Sequence, residues 1–139
     1  MDPVEKSLSN YLCELTLPYV EYTMFTPSVV ACGAVYLARL FCHKRDEGTM
    51  VTTESGETAP CPSMWSPEMR HFSGYDAEEL AHVAAMLRAT HMQAAECPLA
   101  TSLVRKFGTA TWCRVALMEP LPAALMPPVT ARAIMEGGR

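Results

Sequence analysis

The stretch from Pro27 to Phe41 constrains the fold of this chain more than any other part of the sequence. It reads PSVVACGAVYLARLF, and its first charged residue is Arg39. A helix on a protein surface carries polar residues along one face, whereas a helix that is apolar on every side has to be enclosed by its neighbours. Thr26 is a favoured N-cap residue and Pro27 a favoured first helical residue, so the start is well defined. We therefore predict a central, buried helix around which the rest of the chain packs.

Small residues within this segment predict how closely other helices approach it. Ala31, Ala34 and Ala38 recur at helical spacing, and Gly33 lies beside them. With so little side chain in the way, neighbouring helices can pack tightly against the backbone. The same run is too short for a transmembrane helix, which needs about 20 apolar residues. We therefore expect a globular domain that does not use a membrane.

The sequence before the central helix predicts one further helix. Asp2, Pro3 and Glu5 form the pattern of an N-cap, a first-turn proline and a capping-box acid, which places the start at about residue 3. Apolar residues then recur with helical spacing: Val4, Leu8, Tyr11, Leu12 and Leu15. Pro18 cannot continue a helix and marks the end. This helix is expected to pack its apolar stripe on the central one.

Two helix starts follow in the second half of the chain. Ser66 can cap a short helix that ends near Gly74. Asp76 and Glu79 form a second capping box, which begins a longer helix that should run to about residue 93 or 94. The apolar side of this longer helix is predicted to carry Leu80, Val83, Ala84, Met86 and Leu87.

A fifth helix is predicted near the end of the domain. Cys97 and Pro98 are suited to its start, and Gly108 is placed to end it. Its inward side chains are expected to be Leu99, Leu103, Val104 and Phe107. The many alanines and the 10 methionines also favour helix over sheet. Together these patterns predict an all-α fold of five helices around a central buried helix, with Trp65 buried where the chain enters the second half.

We assign these helices to one domain, residues 1–117, interrupted by a long insertion. Residues 42–64 contain charges, hydroxyl residues, glycines and prolines but few large apolar side chains, which predicts a flexible insertion that buries little surface. Residues 118–139 are rich in proline, so they should form a tail over the surface with a short terminal helix at Val129–Met135.

Charge and cysteine content indicate which classes of protein this chain does not resemble. The net charge is −4 and the largest basic cluster is His43-Lys44-Arg45, which argues against a nucleic acid partner. The six cysteines show no CxxC pair, so reduced thiols are expected. The N-terminus lacks the basic and apolar pattern of a secretory signal. These features favour an intracellular protein of the nucleus or cytoplasm.

Catalysis and metal binding would need particular groups of side chains. The candidates for a nucleophile and its base are Cys42, Cys61, Cys97, His43, His71, His82 and His91. No nucleophile motif surrounds any of them, so we predict no catalytic residue and no enzyme. A zinc site through Cys42, His43 and Cys61 would lack a second ligand pair, so we predict no metal or cofactor. Thr26-Pro27 and Ser66-Pro67 are minimal sites for a proline-directed kinase, but helix capping explains both.

Two motifs now suggest a family. Tyr11 to Leu17 reads YLCELTL and resembles the "YLxELTL" first helix of the C-terminal cyclin box of A- and B-type cyclins. Sixteen residues later, Pro27 to Ala34 resembles the "PSxxAxxA" pattern of the central helix of that box. The similarity continues, in family order, at Trp65, Tyr75, Glu79-Leu80 and Lys106-Phe107. The resemblance spans roughly residues 5 to 117.

The resemblance implies a five-helix bundle and a non-catalytic regulatory subunit of a cyclin-dependent kinase that acts in the cell cycle. In this family the residues that contact the kinase belong to an N-terminal box, and nothing in this sequence resembles that box. We therefore expect the chain alone to be monomeric and to bind the kinase weakly or not at all. The alternatives are a cyclin-like helical adaptor or transcription-factor module that acts by binding proteins without a kinase and, less favoured, a thiol- or zinc-dependent enzyme.

Overall fold

The computed structural model describes residues 2–47, 65–122 and 126, and the elements within them are α-helices and short 3₁₀ turns. The five α-helices are α1 (Pro3–Leu15), α2 (Pro27–Glu47), α3 (Pro67–Ser73), α4 (Ala77–Gln93) and α5 (Thr101–Phe107). The 3₁₀ turns are Val20–Met24, Ala94–Glu96, Pro98–Ala100, Ala110–Trp112 and Val115–Leu117. The prediction of an all-α, five-helix fold is therefore confirmed.

Helix α2 lies at the centre of the fold and packs against α1 and α4. Ala34 and Ala38 are completely buried, as their small size predicts. At Gly33 the approach of α4 is so close that a Cβ atom would lie 2.3 Å from Cγ1 of Val83. Only a glycine fits between the two helices at this point. The predicted close packing around the central helix is thus confirmed.

One side of α2 is open, which the sequence did not predict. Ala31 is exposed, and Cys32 and Val35 are only partly buried. A helix that is apolar all round was expected to be enclosed on every side. The side of α2 that neither α1 nor α4 covers faces α3, a peripheral helix of seven residues that has no fully buried residue. A helix this short covers α2 incompletely.

Helix α2 is also longer than the prediction, which placed its end near Phe41 and the start of the insertion at Cys42. The helix continues for six more residues, to Glu47. No glycine or proline occurs between Ala34 and Glu47, and Lys, Arg and Glu are good helix formers, so nothing in these residues stops the helix. The rest of the predicted insertion, residues 48–64, and the predicted terminal helix at Val129–Met135 lie outside the described residues.

The predicted starts of α1 and α4 are confirmed by their N-caps. The Asp2 carboxylate accepts a hydrogen bond from the Val4 amide at 2.7 Å, and the Asp76 carboxylate accepts one from the Glu79 amide at 2.8 Å. Each satisfies a backbone N–H that the first helical turn leaves unpaired. These short-range signals depend on neighbouring residues alone, which explains why the sequence predicts them well.

Glu5 differs from its predicted role as a capping-box acid at the start of α1. Its carboxylate accepts a hydrogen bond from Nε of Arg39 at 2.8 Å, and both side chains are largely buried. Arg39 also donates to the sulfur of Met69 on α3. The first charge of the central helix therefore links α1, α2 and α3 instead of ending the apolar run.

The end of the domain is partly as predicted. The chain from residue 98 forms a 3₁₀ turn (Pro98–Ala100) and only then α5. Leu99 was expected to face inward but is 71% exposed, because it lies in the tighter turn and not on the apolar face of the α-helix. Phe107 is fully buried and Gly108 follows the last residue of α5. The core extends beyond residue 117, since Leu121 is also buried.

Candidate functional site

The two candidate nucleophiles that the structure describes lie in different parts of the fold. Cys42 lies near the C-terminal end of α2, Cys97 precedes the turn that leads to α5, and neither forms a disulfide. Cys61 lies outside the described residues. The zinc site considered from the sequence includes Cys61 and is therefore not tested. Among the described residues, no three His, Cys, Asp or Glu side chains are grouped so that they could hold a metal ion.

The surroundings of Cys97 favour its thiolate form. The Tyr19 hydroxyl is the main cause, and the backbone N–H groups of Leu99 and Ala100 act in the same direction. Donors that stabilise the thiolate lower the pKa of Cys97, and the same contact raises the pKa of Tyr19 to about 12. None of these three partners is a base that could accept a proton. The contact between Cys97 and Tyr19 therefore joins the segment between α1 and α2 to the turn that precedes α5.

His91 is buried in the core against an aromatic ring. It lies on α4, where its ring stands edge-on to Tyr11 with 5.8 Å between the ring centroids. Its Nε2 is buried without a hydrogen-bond partner. Burial lowers the pKa of His91 to about 4. His91 is thus a neutral part of the core.

The other candidate histidines lie on separate elements. His82 on α4 packs beside the ring of Phe25, and His71 on α3 is exposed beside Phe72. His43 is on the last turns of α2. The ring contacts of His71, His82 and His91 are all made with aromatic side chains. A catalytic arrangement would need a base oriented toward a nucleophile, and none of these three ring contacts is made with a thiol.

The two Ser/Thr-Pro sites are occupied by capping interactions. The Thr26 hydroxyl accepts from the Val29 amide at 3.4 Å, and the Ser66 hydroxyl accepts from the Met69 amide at 3.3 Å. The sequence missed a longer-range feature here, because the Tyr75 hydroxyl lies 2.8 Å from Ser28 and 3.3 Å from Thr26. This hydroxyl cluster joins the start of α2 to the residue just before α4.

An apolar groove lies beside α3, and we call it the α3 groove. It encloses about 360 Å³. Its described lining residues are Ala31, Cys32 and Val35 from the open side of α2, with Trp65, Met69, Phe72 and Ser73. Sequence reasoning missed this groove because it arises where α2 is left uncovered, which depends on packing and not on the local pattern. Phe72 could have indicated the groove, since a large aromatic residue on a short polar helix is expected to contact another apolar surface.

Comparison with known proteins decides the family. A family profile described as "Cyclin, C-terminal domain" matches residues 2–121, which is most of the chain. The chain belongs to the cyclin C-terminal domain family. The recognition that YLCELTL and PSVVACGA allowed is therefore confirmed. The first motif covers the end of α1 and the two residues after it, and the second begins α2.

The curated relatives of this cyclin domain include A- and B-type cyclins. Cyclin-A2-2 of Arabidopsis thaliana is 28% identical over 68% of this chain and 18% of that relative. Cyclin-A2-3 of Arabidopsis thaliana is 32% identical over 66% of this chain and 17% of the relative. G2/mitotic-specific cyclin-B of Arbacia punctulata is 24% identical over 91% of this chain and 27% of the relative. This chain thus spans less than a third of the length of each.

No solved structure matches this cyclin domain. In the part of the chain that the structure describes, no helix is long and apolar enough to cross a membrane.

Proposed function

We propose that this cyclin domain belongs to a regulatory, non-catalytic subunit of a cyclin-dependent kinase that controls the cell cycle in the nucleus or cytoplasm. The observation that carries the proposal is the family match over residues 2–121, together with relatives that are A- and B-type cyclins. Members of this family are regulatory proteins and not catalysts.

The contribution of this domain would be structural support. By the family resemblance, kinase-binding residues belong to an N-terminal cyclin box, so the present domain should not bind the kinase strongly by itself. Its buried helices α1, α2 and α4 form a rigid body that can hold such a box in one orientation. We therefore propose a monomeric domain that stabilises the N-terminal box of a kinase-activating subunit.

A chimera tests this function. The chain is joined to the N-terminal box of Cyclin-A2-2 in place of that protein's own C-terminal domain, and activation of a plant cyclin-dependent kinase is measured. We expect the chimera to activate the kinase, the chain alone to leave it inactive, and the N-terminal box alone to activate it less. A chimera with Leu12→Asp, which places a charge at a fully buried position, is the control and should lose the gain.

Two results would change the interpretation. If the chain alone captures active kinase, the kinase interface lies on these five helices. If the chimera shows a folded helical spectrum and cooperative melting but does not activate any kinase tested, a cyclin-like adaptor that acts without a kinase becomes the better interpretation.

A further inference from the structure

The α3 groove has the size and chemistry of a binding site for a short segment of another protein. Its volume of about 360 Å³ accommodates a few side chains. Six of its seven described lining residues are apolar or carry a thiol, and Ser73 is the exception. Water in contact with such a surface is released when an apolar side chain enters, which favours binding.

Phe72 stands at the edge of this groove with 88% of its surface exposed. A fully exposed phenylalanine contributes little to folding, and large aromatic residues are enriched in protein interfaces. The Trp65 ring forms another part of the groove wall and is held rigidly, because its Nε1 donates to the Tyr75 carbonyl at 2.8 Å. One wall of the site is thus preorganised, and Phe72 presents an exposed aromatic ring at its edge.

The other side of α3 indicates the charge of that ligand. Trp65, Pro67, Arg70 and His71 line an adjacent cleft. Arg70 and His71 are exposed, and no acidic residue is among the described lining residues of the cleft or of the α3 groove. Glu68 on the same helix is exposed but is not among the described lining residues, so Arg70 supplies the charge on this face of α3 in a chain whose net charge is −4. A carboxylate would be attracted to this cleft while neighbouring apolar side chains enter the groove.

The size of the surface argues against a second copy of the chain as the partner. Stable dimers bury about 800 Å² on each partner, which corresponds to roughly 20–30 residues. The two clefts together involve ten described residues, most of them on or next to one seven-residue helix. A surface of ten residues is sufficient for a short peptide.

We propose that the α3 groove and the adjacent Arg70–His71 cleft bind a short linear peptide of a partner protein, with two apolar residues for the groove and an acidic residue for the cleft. This inference goes beyond the kinase-regulatory function and does not depend on it. The surface lies on α3, whereas kinase contact is attributed to an N-terminal box.

Selection from a phage library of random 12-residue peptides tests the proposal. The folded chain is the target, and enriched peptides are synthesised with a fluorescent label and measured by anisotropy. We expect paired apolar residues close to Asp or Glu in the enriched sequences. Phe72→Ala and Arg70→Glu should each weaken binding by about tenfold, as for interface anchor residues. Binding should also weaken as the salt concentration rises.

Two exposed positions away from α3 give matched controls. Leu99→Ala removes a side chain that is 71% exposed, and Arg105→Glu reverses an exposed charge on α5. Both should bind the selected peptides like the unmodified chain. Equal melting temperatures for all four variants would establish that the losses do not come from unfolding.

Several outcomes would overturn the proposal. These are a failure to enrich any peptide, and enriched peptides that bind the Phe72→Ala variant with unchanged affinity. Sedimentation that shows a dimer of the chain, abolished by Phe72→Ala, would make a second copy the occupant. Binding seen only after residues 49–63 are replaced by a Gly/Ser linker would make the chain's own segment the occupant. Binding that disappears in the chimera with an N-terminal box would assign the surface to that box.

Discussion

At the scale of single residues, the contact between Gly33 and Val83 makes the sharpest prediction. A Cβ at Gly33 would lie 2.3 Å from Cγ1 of Val83, and a β-branched side chain in a helix has essentially one χ1 rotamer, so it cannot turn aside. Gly33→Ala should therefore lower the free energy of unfolding by about 1–3 kcal/mol. In a Val83→Ala background the same change should be neutral or stabilising, because alanine is the better helix former by about 1 kcal/mol.

Urea unfolding of the four proteins in this cycle gives the measurement. The destabilisation caused by Gly33→Ala has to disappear, or become a stabilisation, in the Val83→Ala background. If Gly33→Ala costs the same in both, the approach of α4 is not what requires glycine at this position.

His91 makes a second residue-scale prediction, on the pH dependence of stability. Burial lowers its pKa from 6.5 to about 4, so between these values the unfolded chain binds a proton that the folded chain does not. The His91 contribution is therefore complete above pH 6.5 and is lost as the pH falls toward 4, up to about 3 kcal/mol at 1.36 kcal/mol per pKa unit.

Chemical denaturation between pH 4 and 7 checks this contribution. His91→Gln should flatten the decline in stability relative to the unmodified chain, whereas His71→Gln on the exposed surface should leave it unchanged. A decline of equal steepness in the His91→Gln protein would contradict the assignment.

At the scale of elements, α3 depends on the residues around it because it has no fully buried residue of its own. Trp65, immediately before it, is 8% exposed and packs edge-on to Tyr36 with 6.1 Å between the ring centroids. We expect Trp65→Ala to increase hydrogen exchange throughout α3 while α1 and α4 stay protected, since the opening is local. Trp112→Ala should instead increase exchange near α5. Equal exchange in α3 before and after Trp65→Ala would mean that another contact holds this helix.

The bounds of the helices show which local features the sequence predicts and which it does not. The starts of α1, α3 and α4 could be predicted because each cap depends on a side chain and an amide two or three residues away. The end of α2 was missed because a change of composition at Cys42 was taken as the end of a helix, although the next glycine or proline after Cys42 is Gly48. Leu99 was misplaced because sequence spacing does not distinguish a 3₁₀ turn from an α-helix.

At the scale of the whole molecule, the family could be recognised but the α3 groove could not. The motifs that begin in α1 and α2 include core residues such as Tyr11, Leu12 and Ala34, and their helical spacing can be seen in the sequence itself. The groove forms where α3 fails to cover the Ala31 side of α2, which depends on the relative placement of two elements. The hydrogen bond between the hydroxyls of Tyr22 and Thr90, with 2.6 Å between their oxygens, joins residues 68 positions apart and was not predicted for the same reason.

The continuity of the core leads to a last prediction, that the domain unfolds as one unit. A single cluster of buried residues joins α1, α2, α4 and α5, with Trp65 inside it at the α3 side and Trp112 packed against it at the α5 side. Trp65→Phe and Trp112→Phe each leave one tryptophan, so each variant reports on one side of the molecule. A small domain with one core should unfold in a single transition.

In each single-tryptophan variant, fluorescence and far-UV circular dichroism should give the same urea midpoint. EDTA should not shift either midpoint, because the buried apolar cluster can stabilise the fold without a metal. Each comparison is made within one protein, so a loss of stability caused by the substitution itself does not affect it. If the Trp65 signal changes at lower urea than the circular dichroism of the same variant, the α3 side forms a separate unit and the core is not continuous.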